Sequence, residues 1–378
     1  MSDTIIRFDR VSKVFPEGTR AVDDVSFDIF DGECITFVGP SGCGKTTTVK
    51  LLNRLVEPTG GRIWLNNQDT AQTDVIALRR SIGYVIQDVG LFPHMTVSQN
   101  IALVPRLQGW SEKKRNERTE ELLHLVSLDP ATFRDRYPHQ LSGGQKQRVG
   151  VARGLAADPP VILMDEPFGA LDPITRAQLQ DEFLRLRRRL KKVILFVTHD
   201  MDEAIKLGDR IAVMRSGRIV QFDTPRKILR EPADPFVRDM VGREGGIKLM
   251  KLLRIADIMD PADGMTIPAD RLSEAERRMA ESGKDILLAV DKEGRFRGTL
   301  SYEQFIRSEH PGDATQLDRT CPVVEASDRV DTTLENMLKH KRVWLPVVGE
   351  DQKLRGIVTL THFACFFSAV ETLSGGTP

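Results

Sequence analysis

The run GPSGCGKTT at residues 39–47 gathers three glycines, a lysine and three hydroxyl residues into nine positions. It matches G-x-x-x-x-G-K-[ST] and lies between an apolar run, ECITFVG, and a segment with Val49, Leu52 and Val56 at helical spacing. A strand–loop–helix setting is what makes this pattern a phosphate loop. Its glycines let backbone N–H groups turn into one concavity, and the helix start adds its positive end. Lys45 is placed to reach terminal phosphates and Thr46 to ligate Mg²⁺. Gly39, Pro40, Ser41, Gly42, Cys43, Gly44 and Thr47 complete the candidate nucleotide loop. Cys43 stands out because a neighbouring lysine lowers a thiol's pKa, so alkylation there is expected to inactivate.

A second chemical pair follows in VILMDEP. Asp165 ends an apolar run and can hold the metal through water, while Glu166 is placed to polarise an attacking water as general base. Gln87, in YVIQD, and His199, in FVTHD, also close strand-like runs. Gln87 can reach the metal and the water, and His199 the γ-phosphate. Alone, each is an ordinary strand-terminal polar residue; beside a phosphate loop each gains a role. LSGGQ, residues 141–145, is a second phosphate-shaped stretch, with two glycines behind Ser142.

These residues need a frame that brings strand ends together. ECITFVG, VILMDEP and KVILFVTHD are too apolar to alternate, which suits parallel strands covered on both faces. Helical patterns intervene, as in ITRAQLQDEFLRLRRRL, and α/β sheets bind ligands at their carboxyl ends. From about 90 to 155 the strand pattern gives way to helical runs, predicting a helical subdomain inserted in an α/β core. A boundary is expected near 246, in GREGGIK, dividing 1–246 from 247–378.

Beyond it a duplication is visible. DILLAVDKEGRFRGTLSYEQF can be laid on RVWLPVVGEDQKLRGIVTLTHF, with Leu288 on Leu345, Val290 on Val347, Gly298 on Gly356 and Phe305 on Phe363. Each copy reads as helix, strand, tight turn, strand and helix start. The repeats are placed at about 255–310 and 318–370.

Lys plus Arg and Asp plus Glu both number 54, so no bulk field argues for nucleic acid. The N-terminus lacks the apolar core of a signal peptide, and no apolar run approaches the roughly 20 residues that span a bilayer. Cys34, Cys43, Cys321 and Cys365 show neither metal-ligand spacing nor a paired framework, which suits a reducing compartment and small buried side chains. Contact with a membrane is therefore expected through a partner.

The phosphate loop, Gln87, LSGGQ, VILMDE, GALD at 169–172 and His199, in that order over residues 4–241, resemble the ATP-binding subunit of ABC transporters. The resemblance implies a P-loop ATPase that takes ATP and Mg²⁺. It also implies a head-to-tail dimer in which Ser142, Gly143, Gly144 and Gln145 complete the partner's nucleotide site and Asp172 links the two. Phe15, in SKVFPEG, stands where the family usually stacks adenine on tyrosine. The stretches GPSGCGKTTTVKLLNRLVEPTGGRI, IGYVIQDVGLFPHMTV and DEPFGALDPITR resemble more narrowly the quaternary-amine (glycine betaine, carnitine, choline) importers, and the duplication resembles their tandem CBS domains. That implies permease subunits, a substrate-binding protein reached through them, and a peripheral place on the cytoplasmic face of the cell membrane. It also implies a regulatory tail responsive to ionic strength, cyclic di-AMP or another nucleotide. Adenosine-binding CBS modules carry Ser/Thr-x-x-Asp; Ser301 to Gln304 and Thr359 to His362 lack the aspartate, which argues against a ribose contact of that type. An ATPase for another solute, or an ABC switch that moves none, remains open from the sequence alone.

Overall fold

The computed structural model describes residues 3–87, 90–169, 171–242, 244–307 and 317–364. The chain divides into two compact units, residues 1–241 and 242–378. The break precedes the expected boundary at 246, because Gly245–Leu252 is helical. Leu249 and Met250 are buried on that helix, and glycines weigh least against a helix in its first turn.

The first unit begins with β1 (Thr4–Val14) and β2 (Arg20–Phe30), followed by β3 (Cys34–Val38) and α1 (Lys45–Leu52). Next come β4 (Gly60–Leu65), β5 (Gln68–Asp69), α2 (Val75–Ser81) and β6 (Ile82–Val85). The predicted helical insertion contains α3 (Val97–Ile101), α4 (Leu103–Leu107), α5 (Glu112–Leu125), α6 (Pro130–Phe133) and α7 (Gly143–Leu155). The α/β pattern resumes with β7 (Val161–Asp165), α8 (Pro173–Leu190), β8 (Val193–Thr198) and α9 (Met201–Leu207). It closes with β9 (Arg210–Arg215), β10 (Arg218–Asp223), α10 (Pro225–Arg230) and α11 (Pro235–Val241).

Two sheets result. The larger has the order β10-β9-β3-β8-β7-β6, and all its pairs are parallel except β9 with β10. Its central runs have no polar face because both faces are covered. Ile35, Phe37, Leu163, Leu195 and Val197 join one core; their neighbours Cys34, Ile162, Met164, Ile194 and Phe196 join another. That is the two-residue alternation of a strand with both sides apolar. The smaller sheet, β2-β1-β4-β5, is antiparallel and packs into the first core through Ile6, Phe8, Val25, Phe27 and Ile29.

In the second unit, α12 (Gly245–Leu252), β11 (Thr266–Pro268), α13 (Ala275–Ser282), β12 (Ile286–Val290), β13 (Phe296–Ser301) and α14 (Tyr302–Ile306) form the first part. β14 (Val324–Glu325), α15 (Val330–Lys339), β15 (Trp344–Val348) and β16 (Leu354–Thr359) form the second. Each copy has a three-stranded sheet with a parallel pair and then an antiparallel hairpin. The register corrects the sequence alignment by one residue in the first strand. Ala289 faces Gly298 and Val347 faces Gly356, so Leu287, not Leu288, corresponds to Leu345. Leu287, Leu288 and Ala289 are all fully buried, leaving no alternation from which to read the register.

Single-residue bridges join the two copies. Asp260, ahead of the first copy's sheet, pairs with Ile357 of β16, while Asp318, ahead of the second copy's sheet, pairs with Thr299 of β13. The shared glycines allow these crossings. A Cβ at Gly356 would lie 2.2 Å from the Asp260 carbonyl oxygen, and one at Gly298 would lie 3.0 Å from that of Asp318. Parts of both predicted repeats, 308–310 and 365–370, lie outside the described residues, as does Cys365.

Candidate active site

Four neighbouring parallel strands deliver the predicted residues to one edge of the sheet. β3 leads into the phosphate loop, β6 towards Gln87, β7 into Asp165 and Glu166, and β8 into His199. Register brings the ends level, with Val38 opposite Thr198 and Asp165 opposite Val197.

The loop's geometry follows from its glycines. Gly39, Gly42 and Gly44 have φ of 158°, 78° and 110°. At Gly44 any side chain would also strike backbone, its Cβ 2.2 Å from the Ala21 carbonyl oxygen. Helix α1 then starts with no side-chain cap and no acidic residue in its first turn. Its free amides and positive end are left for an anion. The Lys45 ammonium donates to the carbonyls of Gly39 (2.7 Å) and Pro40 (3.0 Å), which holds it over the loop. Pro40, Ser41 and Gly42 form the exposed rim, and Thr47 is half-buried behind them.

The Thr46 hydroxyl donates to Asp165 Oδ1 at 2.8 Å. A hydroxyl and a carboxylate meeting at the phosphate loop suit a hard cation that keeps water and phosphate oxygens as its other ligands. Burial pushes the Asp165 carboxyl above its ordinary range, with the Thr46 hydrogen bond opposing. Burial, together with the Asp165 carboxylate, raises the phenol of Tyr84 in β6 well above the usual value. The sequence reading passed over Tyr84, since an aromatic in a buried strand reads as core.

Glu166 is the meeting point. His199 Nδ1 lies 3.2 Å from its Oε2, and Gln87 Nε2 donates to the same oxygen at 3.5 Å. Glu166 has φ of 44°, and its amide is tied to the Val197 carbonyl at 3.0 Å. A non-glycine residue held there is strained, as residues at functional sites often are.

Cys43 departs from expectation. Its side chain is 5% exposed and belongs to the hydrophobic core. Burial pushes its thiol up and outweighs the opposite pull of Lys45. Maleimide labelling of the native chain at neutral pH should therefore be slow, accelerate on unfolding and change little with MgATP. Rapid labelling that MgATP blocks would place the thiol in the phosphate path. Cys34 and Cys321 are buried too, the former with its thiol raised to about 12 by desolvation.

The LSGGQ stretch is a helix start rather than a closed loop. Ser142 caps α7, accepting from the Gln145 amide at 3.3 Å, while the Gln145 side chain accepts from the Ser142 amide at 3.0 Å. Ser142 and Gly143 are exposed, and the first turn carries no acidic residue. Asp172 caps α8, taking the amides of Ile174 and Thr175 at 3.1 and 3.0 Å. Hydrogen bonds from Thr175 hold its carboxyl below the ordinary range. Phe15 is half-buried in the turn after β1, with the Lys13 ammonium 5.2 Å above its ring.

A family model described as ABC transporter matches residues 22–169, and one described as CBS domain matches residues 315–367. The glycine betaine/carnitine/choline transport ATP-binding protein OpuCA of Bacillus subtilis (strain 168) is 49% identical over 360 residues, covering 94% of each chain. The chain belongs to the ATP-binding subunits of ABC transporters. The choline transport ATP-binding protein OpuBA of the same organism is 48% identical, again over 94% of both chains. The osmoprotectant import ATP-binding protein OsmV of Salmonella typhimurium is 41% identical over 97% of both. Among solved structures, the dimeric post-hydrolysis ATP-binding cassette MJ0796 with ADP and Pi matches with a TM-score of 0.54 and 32% identity. It covers 58% of this chain and 99% of that one. This ABC subunit thus joins a P-loop ATPase core, which binds ATP, to a CBS region. Among its described residues no helix is long and apolar enough to cross a membrane.

Proposed function

We propose that the chain powers an importer of quaternary-amine osmoprotectants such as glycine betaine, carnitine or choline. The observation that carries this reading is similarity running through cassette and tail together, over 94% or more of the chain, to subunits named for those solutes. The cassette would work as a head-to-tail pair on the cytoplasmic face of the membrane. Each pair would dock on permease subunits fed by a substrate-binding protein.

In this reading the amides of residues 39–47 and the Lys45 ammonium hold the ATP phosphates. Thr46 and Asp165 would hold Mg²⁺, with Gln87 at its edge; bound there, the ion neutralises charge on the β- and γ-phosphates. Glu166 accepts a proton as water attacks the γ-phosphorus, the bond to the bridging oxygen breaks, and ADP leaves. His199, set against Glu166, orients that carboxylate and faces the γ-phosphate. Phe15 stacks the base. Ser142, Gly143, Gly144 and Gln145 offer a second helix start, without an acidic residue in its first turn, to the other copy's γ-phosphate, and Asp172 sits at the junction.

The tail would be an inhibitory sensor. Its ion pairs include Arg342 with Asp318 at 3.9 Å, and exposed pairs weaken as the screening length shrinks from about 10 Å at 0.1 M salt. Where Ser/Thr-x-x-Asp would end, His362 instead accepts the Thr359 amide at 3.2 Å and meets Asp260 at 2.9 Å.

One experiment tests both parts. The complex with its permease and binding protein is reconstituted in vesicles, and uptake of labelled glycine betaine is followed against internal salt, with and without cyclic di-AMP. Uptake should require ATP, compete with carnitine or choline, and rise with salt; a chain ending at Gly246 should transport without the salt threshold. Uptake indifferent to all three amines would sink the substrate assignment. Identical salt curves and identical indifference to the nucleotide for both chains would leave the tail as a dimerisation module.

A further inference from the structure

Behind the catalytic edge lies a carboxylate that the hydrolytic scheme does not use. Glu203, in α9, is 6% exposed. An acid in a helix's first turn is ordinarily a solvated partner for the macrodipole, and Asp202 beside it is exposed. Glu203 instead turns inward at a desolvation cost, which pushes its carboxyl above the ordinary range. Such burial needs partners, and they point at the active site. The Thr198 hydroxyl donates to Glu203 Oε2 at 2.6 Å, and the Gln180 amide of α8 donates to Oε1 at 3.0 Å. Thr198 Oγ1 in turn accepts the Asp200 amide at 3.0 Å. Those two bonds bracket His199. Gln180 is itself held, its Oε1 accepting from Lys206 at 3.2 Å. Glu203, Thr198, His199 and Glu166 line one narrow cleft with Arg176, whose charge favours the buried carboxylate.

We infer that Glu203 is a positioning residue for hydrolysis: through the Thr198 hydroxyl it fixes the turn that carries His199, and through Gln180 it ties that turn to the helix capped by Asp172. The chemistry demands a carboxylate. Thr198 has one hydroxyl hydrogen and its oxygen is occupied by the Asp200 amide, so the hydrogen needs a pure acceptor. Gln180 presents N–H, so it needs one as well. A glutamine at 203 offers a single acceptor oxygen and a superfluous donor, leaving one partner unmatched.

This inference rests on the reading of Glu166 and His199 as the hydrolytic pair, and the experiment separates the two. ATPase kinetics are measured on the full chain for E203Q, H199A and the double variant, alongside T198V and T198S. Leaving one buried donor unpaired predicts a kcat about 10- to 100-fold lower for E203Q, with KM for MgATP within about twofold because the phosphate loop is untouched. E203Q should cost nothing further in the H199A background. T198V should reproduce the deficit, and T198S should restore wild-type kcat by returning the hydroxyl. The last two decide the matter should E203Q fail to fold. A purely structural role would lower thermal stability, act equally in both backgrounds and leave T198V as fast as T198S. Impaired H199A with E203Q and T198V at wild-type kcat overturns the inference alone; H199A at wild-type rate removes the underlying reading and the inference with it.

Discussion

Glu166→Gln should slow ATP hydrolysis by about 10²–10⁴-fold, the range that general base catalysis contributes, while ATP binding persists. The substitution keeps the shape of the side chain and its contacts with Gln87 and His199 but removes the basic oxygen. In the proposed scheme nucleotide affinity is set elsewhere, by the loop of residues 39–47 and by Lys45, which rests on the Gly39 and Pro40 carbonyls. The variant should therefore accumulate as an ATP-bound dimer, seen by size-exclusion chromatography with MgATP and absent with MgADP. Single-turnover hydrolysis at near wild-type rate would remove Glu166 from the proton transfer. A slow enzyme that also fails to bind ATP would show that the carboxylate shapes the site rather than drives it.

Ser142→Arg should abolish ATP-driven dimerisation. Ser142 is exposed at a helix start whose first turn has no acidic residue, and its own hydrogen bonds stay within that turn. An arginine there puts bulk where the proposed second γ-phosphate must rest. The mutant chain should still bind ATP at its own phosphate loop, because the two stretches lie on different helices. Complementation tests the trans arrangement. Pairing a Ser142→Arg chain with a Lys45→Ala chain leaves one composite site with both an intact loop and an intact Ser142, so mixed dimers should recover part of the ATPase rate. Mixed dimers no more active than either parent would show that LSGGQ serves its own chain or none.

The parts of this machine differ in how openly the sequence declares them. The phosphate loop, VILMDE and the run before His199 were legible because motif and apolar strand coincide, and those strands have no alternation to mislead. Their convergence was less legible. Gln87, Glu166 and His199 meet only because β6, β7 and β8 lie side by side, an order that the apolar runs do not encode. The antiparallel sheet of β1, β2, β4 and β5 was passed over, although AVDDVSFDIF alternates well enough to announce β2. Cys43 was misjudged because adjacency to Lys45 is visible in the sequence and burial in the core is not. Glu203 was invisible for the same reason: Asp200-Met201-Asp202-Glu203 reads as an acidic helix start facing water. In the tail, the match of Gly298 with Gly356 was visible in the sequence, but its steric cause was not. Gly298 and Gly356 are the places where a segment of the other copy passes too close for a side chain.

That crossing has a consequence for how the tail can be inherited or cut. Each copy's sheet has its outer strand bridged by a residue from ahead of the other copy's sheet, β16 by Asp260 and β13 by Asp318, and the two turns are also joined backbone to backbone between Gly294 and Leu354. A gene ending between the repeats would not encode half a sensor. It would encode a complete sheet whose edge strand β13 has lost its bridge to Asp318, an open edge that can seek a second molecule. For engineering, the smallest portable module is the pair.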